Sequence, residues 1–153
     1  MTVERNAGTL DEVARDYVRE SFLAAKSNLW KSSVSMLGAS AERLIYVLAD
    51  HINTILTPGT ETGRFEGAAP AKSQKDWVVR QIPQLKRQFN GSASSFRELE
   101  VALNSLFEVY RHQRNEVGHP NRTVFVPQPL REKAVLMSFE LSAKAINDVL
   151  NIT

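Results

Sequence analysis

The residues from Arg111 to Pro120 hold the densest group of side chains suited to proton transfer and phosphate binding. They read Arg-His-Gln-Arg-Asn-Glu-Val-Gly-His-Pro, and Arg114, Asn115 and His119 within them are spaced as Arg-Asn, three residues, His. Arginine binds a phosphate through paired hydrogen bonds and stays charged at any working pH. Histidine titrates near neutrality, so it can accept or donate a proton. Asparagine offers both a donor and an acceptor that can orient a phosphate or the imidazole.

This combination suits the cleavage of RNA without a metal ion, because the 2′-hydroxyl beside the scissile phosphate is itself the nucleophile. The protein then needs only to move protons and to stabilise charge on the phosphate. Arg111 lies one helical turn before Arg114 and would extend the cationic surface that binds a substrate, with His112 in a supporting position. A purely structural interpretation competes with this one, because arginine and histidine near a helix C-terminus are stabilised by the helix dipole.

A metal site has weaker support from the same residues. Glu116-X-X-His119 has a spacing found in di-metal helical bundles, but that arrangement needs a second such pair, which this sequence does not contain. His51 lies near the end of a predicted helix, where a structural role is commoner than catalysis. We expect neither a metal ion nor a cofactor.

The cluster ends the fourth of five predicted helices. Apolar residues recur at steps of three and four in each helix, which indicates one buried stripe per helix. The stripes are Val13, Tyr17, Val18, Phe22 and Ala25; Val34, Leu37, Ala41, Leu44, Leu48 and Ile52; Trp77, Val78, Ile82 and Leu85; Phe96, Leu99, Leu103, Leu106, Tyr110 and Val117; and Leu130, Ala134, Met137, Leu141, Ala145 and Val149. The sequence therefore predicts an all-α fold, an antiparallel four- to five-helix bundle in a single domain over residues 1–153.

Capping and stop signals give the expected helix bounds. Thr9-Leu-Asp-Glu12 is a capping box for the first helix, Ser27-Asn28 is a break and a new N-cap, and Gly118 and Pro120 end the fourth helix. The first three expected helices cover 10–26, 29–56 and 73–89, the third with an interruption at Pro83. The fourth runs from Ser94 or Ser95 to about 117, and the last begins at Pro129. A loop is expected over 57–72 and a short extended piece over 123–126.

Charge is distributed unevenly although the net charge is only +2. The first 20 residues carry five acidic and three basic side chains, whereas residues 72–97 carry six basic side chains and Asp76 alone. A basic segment of this size can meet phosphates, although a solvated helix face is the simpler interpretation. There is no cysteine, no signal-peptide core and no apolar run long enough to span a membrane. We therefore expect a soluble cytoplasmic protein.

Arg114-Asn-Glu-Val-Gly-His119, at the end of a long helix, resembles the Arg-X4-6-His motif of the HEPN superfamily. Residues 33–48, where small residues precede Glu-Arg-Leu, resemble the second helix of that family, and the resemblance extends over about 17–152. It implies a helical bundle that pairs as a homodimer, with the two motifs facing each other across a cleft. One departure is that many toxin members carry a tyrosine soon after the histidine, where this chain has Pro120 and Asn121.

Active HEPN members are metal-independent endoribonucleases of toxin–antitoxin, abortive-infection and CRISPR-linked defence systems. The resemblance thus implies that Arg114 stabilises the phosphate, Asn115 orients it and His119 transfers the proton, with Glu42 positioning Arg114 from the second helix. RNA, a second copy of the chain and an antitoxin or defence protein are the expected partners. The family also has members without nuclease activity, so the alternative is an inactive module that dimerises and binds RNA, a nucleotide or a protein. A third possibility is a regulatory domain cut from a larger protein.

Overall fold

Five α-helices make up nearly all of the described chain. The computed structural model describes residues 11–56, 69–112 and 129–153, and these contain no β-strand. The helices are α1 (Glu12–Lys26), α2 (Trp30–Ile55), α3 (Ala71–Gln88), α4 (Ala93–His112) and α5 (Pro129–Leu150), with a 3₁₀ turn over Asn90–Ser92 before α4. The predicted all-α helical bundle is confirmed. None of these helices is long and apolar enough to cross a membrane. The expected extended piece at 123–126 lies outside the described residues.

Helices α1 and α2 form an antiparallel pair joined by polar contacts between small side chains. Three contacts show that the helices run in opposite directions, because the residue numbers decrease along α1 as they increase along α2. They are Ser21 Oγ to the Ser33 carbonyl oxygen at 2.9 Å, Ser40 Oγ to the Ala14 carbonyl oxygen at 2.8 Å and Arg43 Nε to Asp11 Oδ2 at 2.8 Å. Gly38 and Ala41 are buried on the same helix. Small residues here let the two backbones approach closely.

The ends of α1 differ in detail from the sequence prediction. The helix begins at Glu12 rather than Leu10, and the Asp11 carboxylate accepts a hydrogen bond from the Ala14 amide at 3.2 Å, so Asp11 is the N-cap. The predicted break at 27–28 is confirmed, but the N-cap of α2 is Leu29, and Asn28 follows the C-cap Ser27 of α1 with a φ of 59°. Asparagine tolerates this left-handed conformation better than most residues.

Helix α3 is continuous through Pro83, so the predicted interruption at that residue is wrong. Proline removes one backbone hydrogen bond and crowds the preceding turn, at a cost of about 3 kcal/mol in a helix interior. Pro83 lies on the exposed side of α3, while Trp77, Ile82 and Leu85 are buried on the other side. Burial of such side chains contributes about 1.5–3 kcal/mol each, which outweighs the lost hydrogen bond.

Helices α3 and α4 are antiparallel. Lys75, near the start of α3, contacts α4 at Asn104 and Phe107, while Phe89 packs against Phe96 at the opposite end with 6.1 Å between ring centroids. Gln88 Nε2 donates to the Ile55 carbonyl oxygen at 2.6 Å, so α2 and α3 end at the same end of the bundle.

The predicted stripes of α2 and α3 form the core, together with most of the α4 stripe. The fully buried side chains include Leu37, Leu44, Leu48, Ile52, Leu85, Phe96, Leu99, Leu103 and Leu106. Tyr110 is half-buried and Val117 lies outside the described residues. Long helices with a single apolar stripe were therefore predicted correctly, since only one of their faces can enter a core.

Two stripes were predicted only in part. In α1, Val18 is buried as predicted and Phe22 packs against the core. Val13, however, is 46% exposed, and Ala14 and Ser21 are buried instead, because the close contact with α2 admits small side chains. In α5, Met137 and Leu141 are 68% and 72% exposed. Val149 is buried as predicted, but the other buried residues among the described side chains of α5 are Phe139, Ser142, Ala143 and Ile146, which the stripe omitted. Apolar residues occur on two sides of α5, so periodicity could not show which side faces the core.

Candidate functional site

The predicted catalytic residues follow His112, the last described residue of α4, along the chain. Arg111 and His112 are the last two residues of that helix, and the His112 side chain is not among those described. Arg114, Asn115 and His119 lie outside the described residues. Their distances from one another and their predicted roles therefore stay a prediction, and the described part of the site consists of Arg111 and Glu42.

Arg111 is a surface cation. Its side chain is 59% exposed, and Nη2 and Nε donate to Glu108 Oε2 at 2.8 and 3.2 Å. Exposed ion pairs of this kind contribute about 0–1 kcal/mol, because water screens both charges. Glu108 therefore holds the guanidinium in place weakly. A phosphate, with more negative charge and more acceptor oxygens, can displace it.

Glu42 is half-buried on α2, and its carboxylate has a defined hydrogen bond. Tyr46, one turn later on the same helix, donates from its hydroxyl to Glu42 Oε1 at 2.7 Å. Such a bond restricts the carboxylate rotamer, which is what a residue that positions an arginine needs. The predicted partner, Arg114, lies outside the described residues, so the pairing itself stays a prediction.

Helix geometry places Glu42 and the end of α4 at a similar height in the bundle. The 2.6 Å hydrogen bond from Gln88 marks Ile55 as lying at the end where α4 begins. At 1.5 Å per residue, Glu42 lies about 20 Å from Ile55 along α2, and Arg111 lies about 22 Å from Phe96 along α4. Because α2 and α4 are antiparallel, Glu42 lies at about the same height along the bundle as Arg111, the residue that shortly precedes the Arg-Asn-X3-His segment.

An ion pair that the sequence pattern did not indicate joins α1 to α2. Arg43 donates from Nε to Asp11 Oδ2 at 2.8 Å and from Nη2 to Asp11 Oδ1 at 3.0 Å. The hydrogen bond from Arg43 lowers the pKa of the Asp11 carboxyl, and Asp11 in turn raises the pKa of Arg43. The two residues are 32 positions apart, so no local spacing could have indicated the pair. It anchors the start of α1, and Arg43 directly follows Glu42, the predicted positioning residue, along α2.

Lys75 is a second feature that the sequence did not indicate. It lies between α3 and α4, where its Nζ contacts Asp76 Oδ1 at 2.9 Å, Asn104 Oδ1 at 3.2 Å and the Phe107 ring at 5.4 Å from the centroid. These contacts give it a role in packing.

Among the described residues, no group of three or more His, Cys, Asp or Glu side chains could hold a metal ion.

Comparisons with known proteins give no match, whether the chain is compared with protein-family models, with curated proteins or with solved structures. The fold itself defines the class of this protein as an all-α helical bundle.

Proposed function

We propose that this protein is a metal-independent endoribonuclease of the HEPN type, acting as a homodimer in a toxin–antitoxin or antiviral defence system. The observation that carries the proposal is the Arg114-Asn115-X3-His119 spacing immediately after α4. These residue types suit cleavage through a 2′-hydroxyl, since they combine a phosphate-binding cation with a group that titrates near neutrality.

In the proposed mechanism, Arg114 binds the scissile phosphate and stabilises the negative charge that develops on it. His119 removes the proton of the 2′-hydroxyl and returns it to the leaving 5′-oxygen, and Asn115 orients the phosphate. Attack of the 2′-oxygen on phosphorus breaks the bond to the 5′-oxygen and leaves a 2′,3′-cyclic phosphate. Arg111 binds a neighbouring phosphate, and Glu42 positions Arg114.

Two features of the described bundle support the assignment. Arg111 is exposed and only weakly neutralised by Glu108, so a cation is available at the edge of the site. Glu42, oriented by Tyr46, lies at the height of the end of α4. Both fit the roles that the proposal gives them.

The test is cleavage of a mixed-sequence single-stranded RNA in EDTA by wild type, His119→Ala and Arg114→Ala. We expect wild type alone to cleave, with 2′,3′-cyclic phosphate ends, and each substitution to reduce the rate at least about 100-fold, as is typical for loss of a general acid–base or of a charge-stabilising group. Arg19→Ala is the matched control, because Arg19 is an exposed arginine on α1, and it should cleave like wild type.

Equal cleavage by wild type and His119→Ala would contradict the proposal. A folded wild type that binds RNA without cleaving it would instead favour the inactive binding module.

A further inference from the structure

The outer face of α3 carries three exposed cations that no acidic side chain in the described part of the chain neutralises. They are Arg80, Lys86 and Arg87. None of them forms an ion pair with any residue in the described part of the chain. Arg87 donates from Nη2 to Gln84 Oε1 at 3.0 Å, which holds its guanidinium against the helix without cancelling its charge.

The single acidic residue of α3, Asp76, pairs with two lysines of the same helix. Lys72 Nζ lies 2.8 Å from Asp76 Oδ2, and Lys75 Nζ lies 2.9 Å from Asp76 Oδ1. These two hydrogen bonds lower the pKa of the Asp76 carboxyl, so the carboxylate stays ionised and bound to its lysines. The single acidic residue of α3 is therefore unavailable to the three cations that follow it.

The three cations lie on the exposed part of α3. Arg80 and Arg87 are seven residues apart, so they lie on the same side of the helix and about 10 Å apart along its axis. Lys86 lies about 100° around the helix from Arg87 and widens the surface. In a stacked nucleic acid strand the charges repeat at about 3.4 Å, so this length matches about three phosphates. Continuity of α3 through Pro83 keeps the cations in register, which an interrupted helix would not.

We propose that this surface, Arg80, Lys86 and Arg87, binds the phosphate backbone of single-stranded RNA and holds the substrate on the bundle. The inference rests on the proposal that RNA is the ligand of this protein. The one aromatic residue of α3, Trp77, is buried, so α3 offers no ring on which a base could stack. Binding by the surface therefore depends on charge and salt and shows little sequence preference.

The test measures binding of labelled single-stranded RNA by anisotropy as salt is raised, with His119→Ala in every protein so that the RNA stays intact. Combined Arg80→Gln, Lys86→Gln and Arg87→Gln should weaken binding about tenfold or more at about 50 mM salt and lower the salt slope by about 2, since each phosphate contact in a single strand contributes about 0.7. The matched control is combined Arg19→Gln, Lys26→Gln and Lys31→Gln, which removes three exposed cations from α1 and the start of α2.

An unchanged affinity and salt slope, or an equal loss in both triple variants, would overturn the inference and leave the surface to an acidic protein partner. Failure of the His119→Ala protein to bind RNA at about 50 mM salt would also overturn it. Loss of binding in the α3 variant alone, with no cleavage by wild type, would support this surface while refuting the nuclease, so the two proposals fail separately.

Discussion

At the scale of single residues, Asp11 combines two roles that the pH dependence of stability can separate. It caps α1 through the Ala14 amide and pairs with Arg43 across the α1–α2 contact. Because this pairing lowers the pKa of Asp11 in the folded state, it stabilises the fold fully above the ordinary aspartate pKa near 4. The stabilisation is lost as pH falls through the lowered folded value.

We expect Asp11→Ala to cost about 1–2 kcal/mol at pH 7, from the cap and the ion pair together. Asp11→Asn keeps an acceptor for the cap and should cost at most about 1 kcal/mol, because Arg43 is partly exposed. Urea unfolding at a series of pH values should show the gap between wild type and Asp11→Asn closing below pH 4. Asp16→Asn, exposed on the same helix, is the control. A gap that stays constant with pH would mean that the ion pair contributes nothing.

At the scale of elements, α3 contains a proline that the bundle tolerates rather than requires. We expect Pro83→Ala to stabilise the protein by about 1–2 kcal/mol, because it restores a backbone hydrogen bond, although proline also restricts the unfolded chain. Thermal and urea unfolding measure the change. Lys86→Ala, exposed on the same helix, should alter stability by less than about 0.5 kcal/mol. A destabilised Pro83→Ala protein would contradict this expectation and would show that the exposed proline ring makes stabilising contacts.

At the scale of the whole molecule, the proposed active site needs two copies of the chain. We expect light scattering to give twice the mass of one chain. If Arg114 of one copy acts with His119 of the other, mixing the inactive Arg114→Ala and His119→Ala proteins should restore part of the activity, because one site of each mixed dimer keeps both groups. A monomeric active enzyme would contradict the shared site, as would mixtures that exchange subunits and stay inactive.

The sequence was enough to predict the five helices of the described residues and the stripes of α2, α3 and most of α4. Those stripes are single and long, so hydrophobic burial can satisfy only one orientation of each helix. It also indicated the Arg111–His119 cluster, since the candidate chemistry lies in residues that are neighbours along the chain. The predicted helix break at 27–28 was confirmed because the end of a helix depends mainly on residues that are neighbours along the chain.

Only the tertiary structure decided which side of α5 is buried, where Phe139 and Ile146 face the core while Met137 and Leu141 stay exposed. It also decided that α3 continues through Pro83 and that Arg43 reaches Asp11. Each of these outcomes depends on partners that are distant along the chain. A helix with two apolar sides is oriented by its neighbours, and the cost of an internal proline is offset by burial that a local pattern cannot measure.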